Sequence, residues 1–337
     1  MLTLFVATEQ GLLVVHHALA WTVERHLERR AVESVSVDPL VPSNIYCGTL
    51  GHGLWRSDDA GRSWEEAGPG ITHRDVMSVA VSATESEDGP AVVYAGTEPS
   101  GVFRSVDGGA SWTQSGGLLA LPSRSTWSFP PRPETHHVRW IEPDPVSTGR
   151  LYVAIEAGAL VQSPDGGRTW EDRVPGGPYD THTASTHRLA PDRVYSAAGD
   201  GYFESLDAGK TWTRHMQGLR HRYLVGIAVE QENPDNVIAS CAEGPWSAYD
   251  PPHAEGYVYR RSGGRPWQTA MDGLPAAAGT SVSRFAEHPD APGTLYAANN
   301  HGVFHTTDAG GRWTALDIPW PHAALDGGVE ALAALVE

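Results

Sequence analysis

The sequence is short of several features that define other classes of protein. It has two cysteines in 337 residues, which excludes a disulfide-stapled scaffold. Cys47 and Cys241 fall in predicted strands of non-adjacent repeats, so free buried thiols are expected, in keeping with a reducing cytoplasm. No apolar run is long enough to span a bilayer. The opening stretch, MLTLFVATEQGLLVV, lacks a basic n-region and a cleavage site, so it reads as strands and not as an export signal. Positive charge is scarce: 24 Lys and Arg stand against 41 Asp and Glu, a formal net charge of −17. That balance argues against nucleic acid or an anionic membrane as partner. No HExxH or CxxC signature announces a local metal site. No linker or low-complexity segment interrupts the chain, so residues 1–337 read as one domain.

What the sequence does have is Gly (37), Pro (25) and Trp (12), the composition of many short strands and turns. It also repeats itself. Ser105-x-Asp107-x-Gly109-x-Ser111-Trp112 recurs at Ser57-x-Asp59-x-Gly61-x-Ser63-Trp64, Ser163-x-Asp165-x-Gly167-x-Thr169-Trp170 and Ser205-x-Asp207-x-Gly209-x-Thr211-Trp212. Thr306-x-Asp308-x-Gly310-x-Arg312-Trp313 is a fifth copy, and worn copies end at Trp21 and Trp267. The octet reads as a tight turn between two strands. Asp bonds downstream amides, Gly takes the positive φ, and Trp opens the next strand with a large apolar surface. Asp59, Asp107, Asp165, Asp207 and Asp308 are therefore expected to be structural. The Trp that end these copies, at 21, 64, 112, 170, 212, 267 and 313, are 43, 48, 58, 42, 55 and 46 residues apart, the length of one four-stranded propeller blade.

Each unit repeats four strands, A to D. Strand A is expected at 32–37, 76–81, 138–141, 181–186, 224–229 and 282–285, and strand B at segments such as IYCGT (45–49), VVYAGT (92–97) and LYVAI (151–155). The N-terminus starts with a strand B (4–8) and the C-terminus ends on an orphan strand A (329–335). Pairing them completes blade 1 from residues 1–25 and 326–337 and removes the open edges. The prediction is an all-β, seven-bladed β-propeller of four-stranded blades.

The octet resembles the Asp box, or BNR repeat, of sialidases, sortilin-like receptors, xyloglucanases and photosystem II assembly factors of the Ycf48 type. The whole chain resembles bacterial single-domain propellers labelled BNR or YVTN repeat proteins and loosely "glycosyl hydrolase". In those families the boxes sit away from the active sites. A sialidase needs an Arg-Ile-Pro motif near the start, which this sequence lacks. The resemblance thus implies the fold and leaves the activity open.

Topology points to the other end of each blade. Octets are C–D turns, whereas the long insertions, 114–135 in a D–A connection and 242–256 in a B–C turn, lie opposite them. Long loops on a rigid scaffold are where function gathers. Nine of the 16 His map to that end. Three consecutive blades deliver His136-His137, Asp180-x-His182 and His221-Arg222 at the starts of their A strands. His137, His182 and His221, with His136 as alternate, are expected to share one site beside Asp180. Such a site suits Zn or another divalent transition metal, or the imidazoles bond loop backbone in a polar channel. Arg139, Arg222 and Arg284 hold a ligand carboxylate or pair with structural Asp. Trp127, Phe129, Tyr179, Trp246 and other loop aromatics stack on a sugar or pack the insertions. Three functions stay open: a metal or small-molecule site, including that of a metal-dependent enzyme; a scaffold docking a protein; and a carbohydrate-active protein, for which Asp180 with Glu98, Glu243 or Asp200 are the available carboxylates.

Overall fold

The repeated octet forms a turn closed by its own carboxylate. In the computed structural model, which describes residues 1–86 and 89–336, the same bonds recur from blade to blade. Asp107 accepts the Ser111 amide at Oδ1 (2.8 Å) and the Ser111 hydroxyl at Oδ2 (2.6 Å). Ser105 donates its hydroxyl to Asp107 (2.8 Å) and accepts the Gly109 amide (2.8 Å). Asp59, Asp165 and Asp207 repeat the pattern with Ser63, Thr169 and Thr211. Asp308 takes the amides of Gly311 and Arg312. Two consecutive residues are left-handed, with φ of 68° and 83° at Gly108 and Gly109, and 62° and 89° at Ala60 and Gly61. The invariant Gly was expected at the second of these. The first is held by Ala or Gly in all five copies, because a larger side chain there would add to the left-handed strain.

The strands form seven antiparallel sheets, and each of these turns lies within one of them. Blade 1 runs Ala331–Val336, Leu2–Thr8, Gly11–His17 and Trp21–His26, so its strand A comes from the C-terminus. Blade 2 is Val32–Val37, Ile45–Thr49, Gly53–Ser57 and Glu65–Glu66, and blade 3 is Asp75–Ser86, Ala91–Glu98, Val102–Ser105 and Thr113–Gln114. Blade 4 is Val138–Pro143, Leu151–Ile155 and Ala159–Ser163, its fourth strand reduced to the bridge Gln162–Glu171. Blade 5 is Thr181–Thr186, Val194–Ala198, Gly201–Ser205 and Thr213–Arg214. Blade 6 is Tyr223–Val229, Asn236–Ala242, Tyr257–Ser262 and Gln268–Thr269, and blade 7 is Arg284–Glu287, Leu295–Asn299, Gly302–Thr306 and Thr314–Ala315. This is the seven-bladed β-propeller fold, closed by the pairing of Leu2–Thr8 with Ala331–Val336.

The chain divides into two compact units, each made of several segments. One comprises residues 1–32, 197–202 and 214–337. Its core lies between blades 7 and 1, where Tyr296, Ala298 and Val303 pack on Leu4, Val6 and Leu332. Between blades 6 and 7, Ile238 and Val258 meet Ala297, Phe304 and Trp313. The other unit comprises residues 33–196 and 203–213. There Tyr46 and Leu54 of blade 2 pack on Val79, Val93 and Phe103 of blade 3, and Tyr152 and Leu160 of blade 4 pack on Ala184 and Val194 of blade 5. Strands B such as Ile45–Thr49 and Leu151–Ile155 are buried along their whole length because both of their faces are covered. Cys47 and Cys241 are free, buried thiols in two of them.

Two strands begin later than expected. Strand A of blade 7 starts at Arg284 and not at residue 282, and the closing strand at Ala331 and not at residue 329. Each shift has a visible competitor for the ladder. The Val282 amide bonds Ala248 O, and the Val329 carbonyl accepts the Arg284 guanidinium at 3.1 Å. Arg284 also reaches Glu330 (3.3 Å), so this expected ligand group ties down the C-terminal segment.

The closing strand fills blade 1 with Leu332 and Leu335, which are 8% and 1% exposed. Removing residues 326–337 should leave Leu2–Thr8 as an open edge and cause aggregation. Leu335→Ala alone should destabilise by about 2–5 kcal/mol in thermal melts. A truncated protein that melts like the parent would show that closure is dispensable. Asp107→Ala should be milder, about 1 kcal/mol, because the Ser111 amide it releases can reach water.

Candidate functional site

In the unit formed by residues 33–196 and 203–213, charged groups collect at the ends of blades 3, 4 and 5 opposite the octets. Strand B of blade 3 ends on Glu98, and strand B of blade 4 is followed by Glu156. His136 and His137 precede strand A of blade 4, and Asp180 precedes strand A of blade 5. The 114–135 insertion, which holds the 3-10 turns Leu118–Ala120 and Pro122–Thr126, contributes Arg132.

His137 is the centre of the group. It is 1% exposed, and both ring nitrogens face carboxylates: Nε2 lies 2.9 Å from Glu156 Oε2 and Nδ1 lies 3.4 Å from Glu98 Oε2. Glu98 also accepts a two-pronged pair from Arg132 at 3.0 and 2.7 Å. Glu156 has Arg139 beside it at 3.5 Å. Burial works against ionisation of Glu98, but the bonds from His137 and Arg132 outweigh it and hold its pKa at about 2. Burial likewise opposes ionisation of Glu156, and the His137 bond and the Arg139 charge bring it down to about 2. Burial also disfavours a charged His137, and here the two carboxylates win and raise its pKa above 6.5. His137 thus bridges two carboxylates that favour its charged form.

Beside this chain of charges lies a second group. Glu156 Oε2 is taken by His137 and Arg139, which leaves Oε1 toward His182 Nε2 at 3.9 Å. Asp180 Oδ1 accepts the Ala157 amide at 2.8 Å, and its Oδ2 lies 3.8 Å from the same His182 nitrogen. Ala157 presents that amide from a left-handed turn, φ 47°. Ligand atoms of Glu156, Asp180 and His182 all lie within 4.8 Å of one another, the one such group of metal-ligating type among the described residues.

The expected residues are distributed as follows. Of the three imidazoles, His182 belongs to the group with ligand spacing. His137 does not offer a lone pair there, because it is engaged by two carboxylates. His221 is engaged within blade 6, stacked on Tyr257 at 3.7 Å and bonded to Tyr259 at 3.0 Å. His136 packs edge-on against Trp127 (5.4 Å). Trp127 is 6% exposed and donates to Ser123 (2.9 Å), so it fastens the 114–135 insertion and offers no open stacking face. Phe129 rests edge-on against His137 (4.7 Å), with Arg132 over its other side (4.9 Å). Tyr179 is half open and bonds Thr126 O at 3.3 Å. Arg139 faces Glu156, whereas Arg222 is exposed.

Glu156 and Arg132 escaped the sequence reading. Glu156 had a signal: Glu9, Glu98 and Glu156 each close or follow a strand B, the same register in three blades. Arg132 had none, since it reaches Glu98 from the middle of an irregular insertion.

No protein-family model matches the chain, and no curated protein matches it. Solved structures do. The Niastella koreensis GH74 enzyme is similar at 17% identity and a TM-score of 0.69, over 98% of this chain and 51% of that one. The RRP9 WD40 repeats are similar at 12% identity and 0.62, over 98% and 88%. A structure of YCF48 bound to D1 peptide is similar at 14% identity and 0.56, over 87% and 84%. The likeness defines the fold class, the β-propeller. The chain spans about half of that GH74 enzyme's length.

The charge network has a pH signature. Glu98 and Glu156, held near 2 against an ordinary 4.5, stabilise the fold above about pH 4.5 and lose this as pH falls toward 2. His137, raised above 6.5, stabilises below that pH and loses its contribution as pH rises through the folded value. Thermal melts should show the network's contribution at its maximum between about pH 4.5 and 6.5. His137→Gln should lower stability there by about 3 kcal/mol and flatten the alkaline limb. An unchanged profile in this variant would contradict a charged His137.

Proposed function

We propose that the protein binds a divalent transition-metal ion at Glu156, Asp180 and His182 and uses it to hold a small-molecule ligand. The observation that carries this reading is the orientation of the two carboxylates. Each has one oxygen fixed by a protein donor and the other turned to the His182 imidazole. Two carboxylate oxygens and an imidazole nitrogen suit Zn and its neighbours. Tetrahedral donors with bonds of about 2.0–2.1 Å stand about 3.3–3.4 Å apart, so separations of 3.8 and 3.9 Å need an inward shift of about half an ångström. Three protein ligands leave a position for water or a substrate oxygen, which the ion would polarise. His137 and Arg139 orient Glu156 and are not ligands. The free thiols Cys47 and Cys241 support a cytoplasmic setting for this activity.

A carbohydrate-cleaving function draws support from the likeness to GH74 enzymes. It needs one carboxyl that stays protonated to act as acid. Glu98 and Glu156 are instead held ionised at about 2, which favours the metal reading.

Untagged protein titrated with Zn²⁺ or Mn²⁺ should take up one ion. At 100 times Kd the melting free energy should rise by about 2.7 kcal/mol. Asp180→Asn keeps an acceptor for the Ala157 amide, so it should fold normally and lose the metal effect. No uptake of any divalent transition metal by the wild type would dispose of the reading.

A further inference from the structure

The B–C insertion of blade 6, residues 242–256, treats its aromatic residue in the opposite way to the 114–135 insertion. Trp246 is 76% exposed, and it is the only exposed one of the 12 tryptophans. The segment beneath it is well anchored. Trp246 sits on the short helix Pro245–Tyr249, whose Ala248 is fully buried. The Ser247 hydroxyl bonds the Gly244 amide and carbonyl at 3.2 and 3.1 Å. The Glu255 amide donates to Ser247 O at 2.8 Å, and the Val282 amide to Ala248 O at 3.3 Å. Tyr249 packs edge-on against Tyr223, with Arg284 over its ring. The indole is therefore an ordered apolar face presented to solvent, with nothing of its own fold to cover it.

Charge says what would cover it. Residues 242–256 carry Glu243, Asp250 and Glu255 and no Lys or Arg. Asp250 is engaged by His253 (2.6 Å) and Glu255 by the Tyr257 hydroxyl (2.7 Å). Glu243 is exposed and lines, with Pro245, Trp246 and His253, a shallow depression of about 420 Å³. An indole face beside an exposed carboxylate matches a guanidinium, which stacks on the ring and pairs with the carboxylate at once. The chain's net charge of −17 draws such a partner in and opposes a second copy of the chain.

We infer that Trp246 and Glu243 form a docking point for an arginine side chain of a basic protein segment. The inference stands apart from the metal reading, since none of its residues belongs to that site. Tryptophan and arginine are the commonest anchors of protein interfaces, and an anchor on a fixed turn loses little entropy on binding.

The test is fluorescence anisotropy with a labelled peptide of alternating glycine and arginine. It should bind saturably and more weakly as salt rises. Trp246→Ala leaves the protein's charge unchanged, so bulk attraction is constant, and it should weaken binding at least ~5-fold. Trp246→Phe should weaken it less, and Glu243→Gln by a similar ~5-fold. Melting temperatures should not change in any of the three, because these side chains are exposed. Equal affinity in Trp246→Ala would reduce the effect to overall acidity and overturn the inference. Displacement of the peptide by a neutral glucan oligosaccharide, lost in Trp246→Ala, would overturn it too, by making the indole a sugar platform.

Discussion

In five of the seven blades an aspartate closes the turn between the last two strands. The carboxylate matters less for its charge than for occupying two downstream donors, so that the chain can reverse within a few residues. Reversal puts the turn's left-handed residues against the preceding blade. Arg56 of blade 2 donates to Gly108 O at 2.9 Å, and the Trp112 amide, just past the turn, bonds Pro69 O at 2.9 Å. A Cβ on Gly109 would come within 3.3 Å of the Tyr46 ring. The octet is thus a local solution to a non-local problem. It spares the strands from supplying contacts at that end, and the opposite end of each blade is left open to variation.

At that opposite end the constraint is electrostatic. Three carboxylates stand close together at Glu98, Glu156 and Asp180, a costly arrangement unless each is answered. The insertion answers Glu98 with Arg132, strand A of blade 4 answers Glu156 with Arg139, and His137 serves both. Asp180 has a main-chain amide on one oxygen. The ion network thus borders the group in which Glu156, Asp180 and His182 come within 4.8 Å of one another.

How much of this was legible depends on distance along the chain. Octets, strand B segments and the complementary ends repeat within a few tens of residues, and the blade count follows from them. The fourth strand of blade 4 was less legible, because its bridge is carried by Gln162 and Glu171 alone. The site is assembled across blades, where spacing carries no information. Topology points to blades 4 and 5, which hold His182 and Asp180. Roles do not follow from topology: nothing in the segment of His137 says that Glu98 and Glu156 will meet its ring. A pair of acidic residues in one register of two neighbouring blades, with a histidine at the head of the strand between them, is the pattern that carries that information.

The two insertions show why a loop's aromatic residues cannot be given a role from the sequence. Trp127 lies over the turn after Glu156, where a Cβ on Gly158 would come within 3.0 Å of its ring. A glycine at that point makes room for the indole, which closes over the core and brings Arg132 to Glu98 behind it. Trp246 follows Pro245 on a helical turn whose inward position is held by Ala248. The small residue takes the inside, so the large one must point out. The same residue type on the same end of two blades is structural in one case and available to a partner in the other, and the deciding feature is the size of its neighbours.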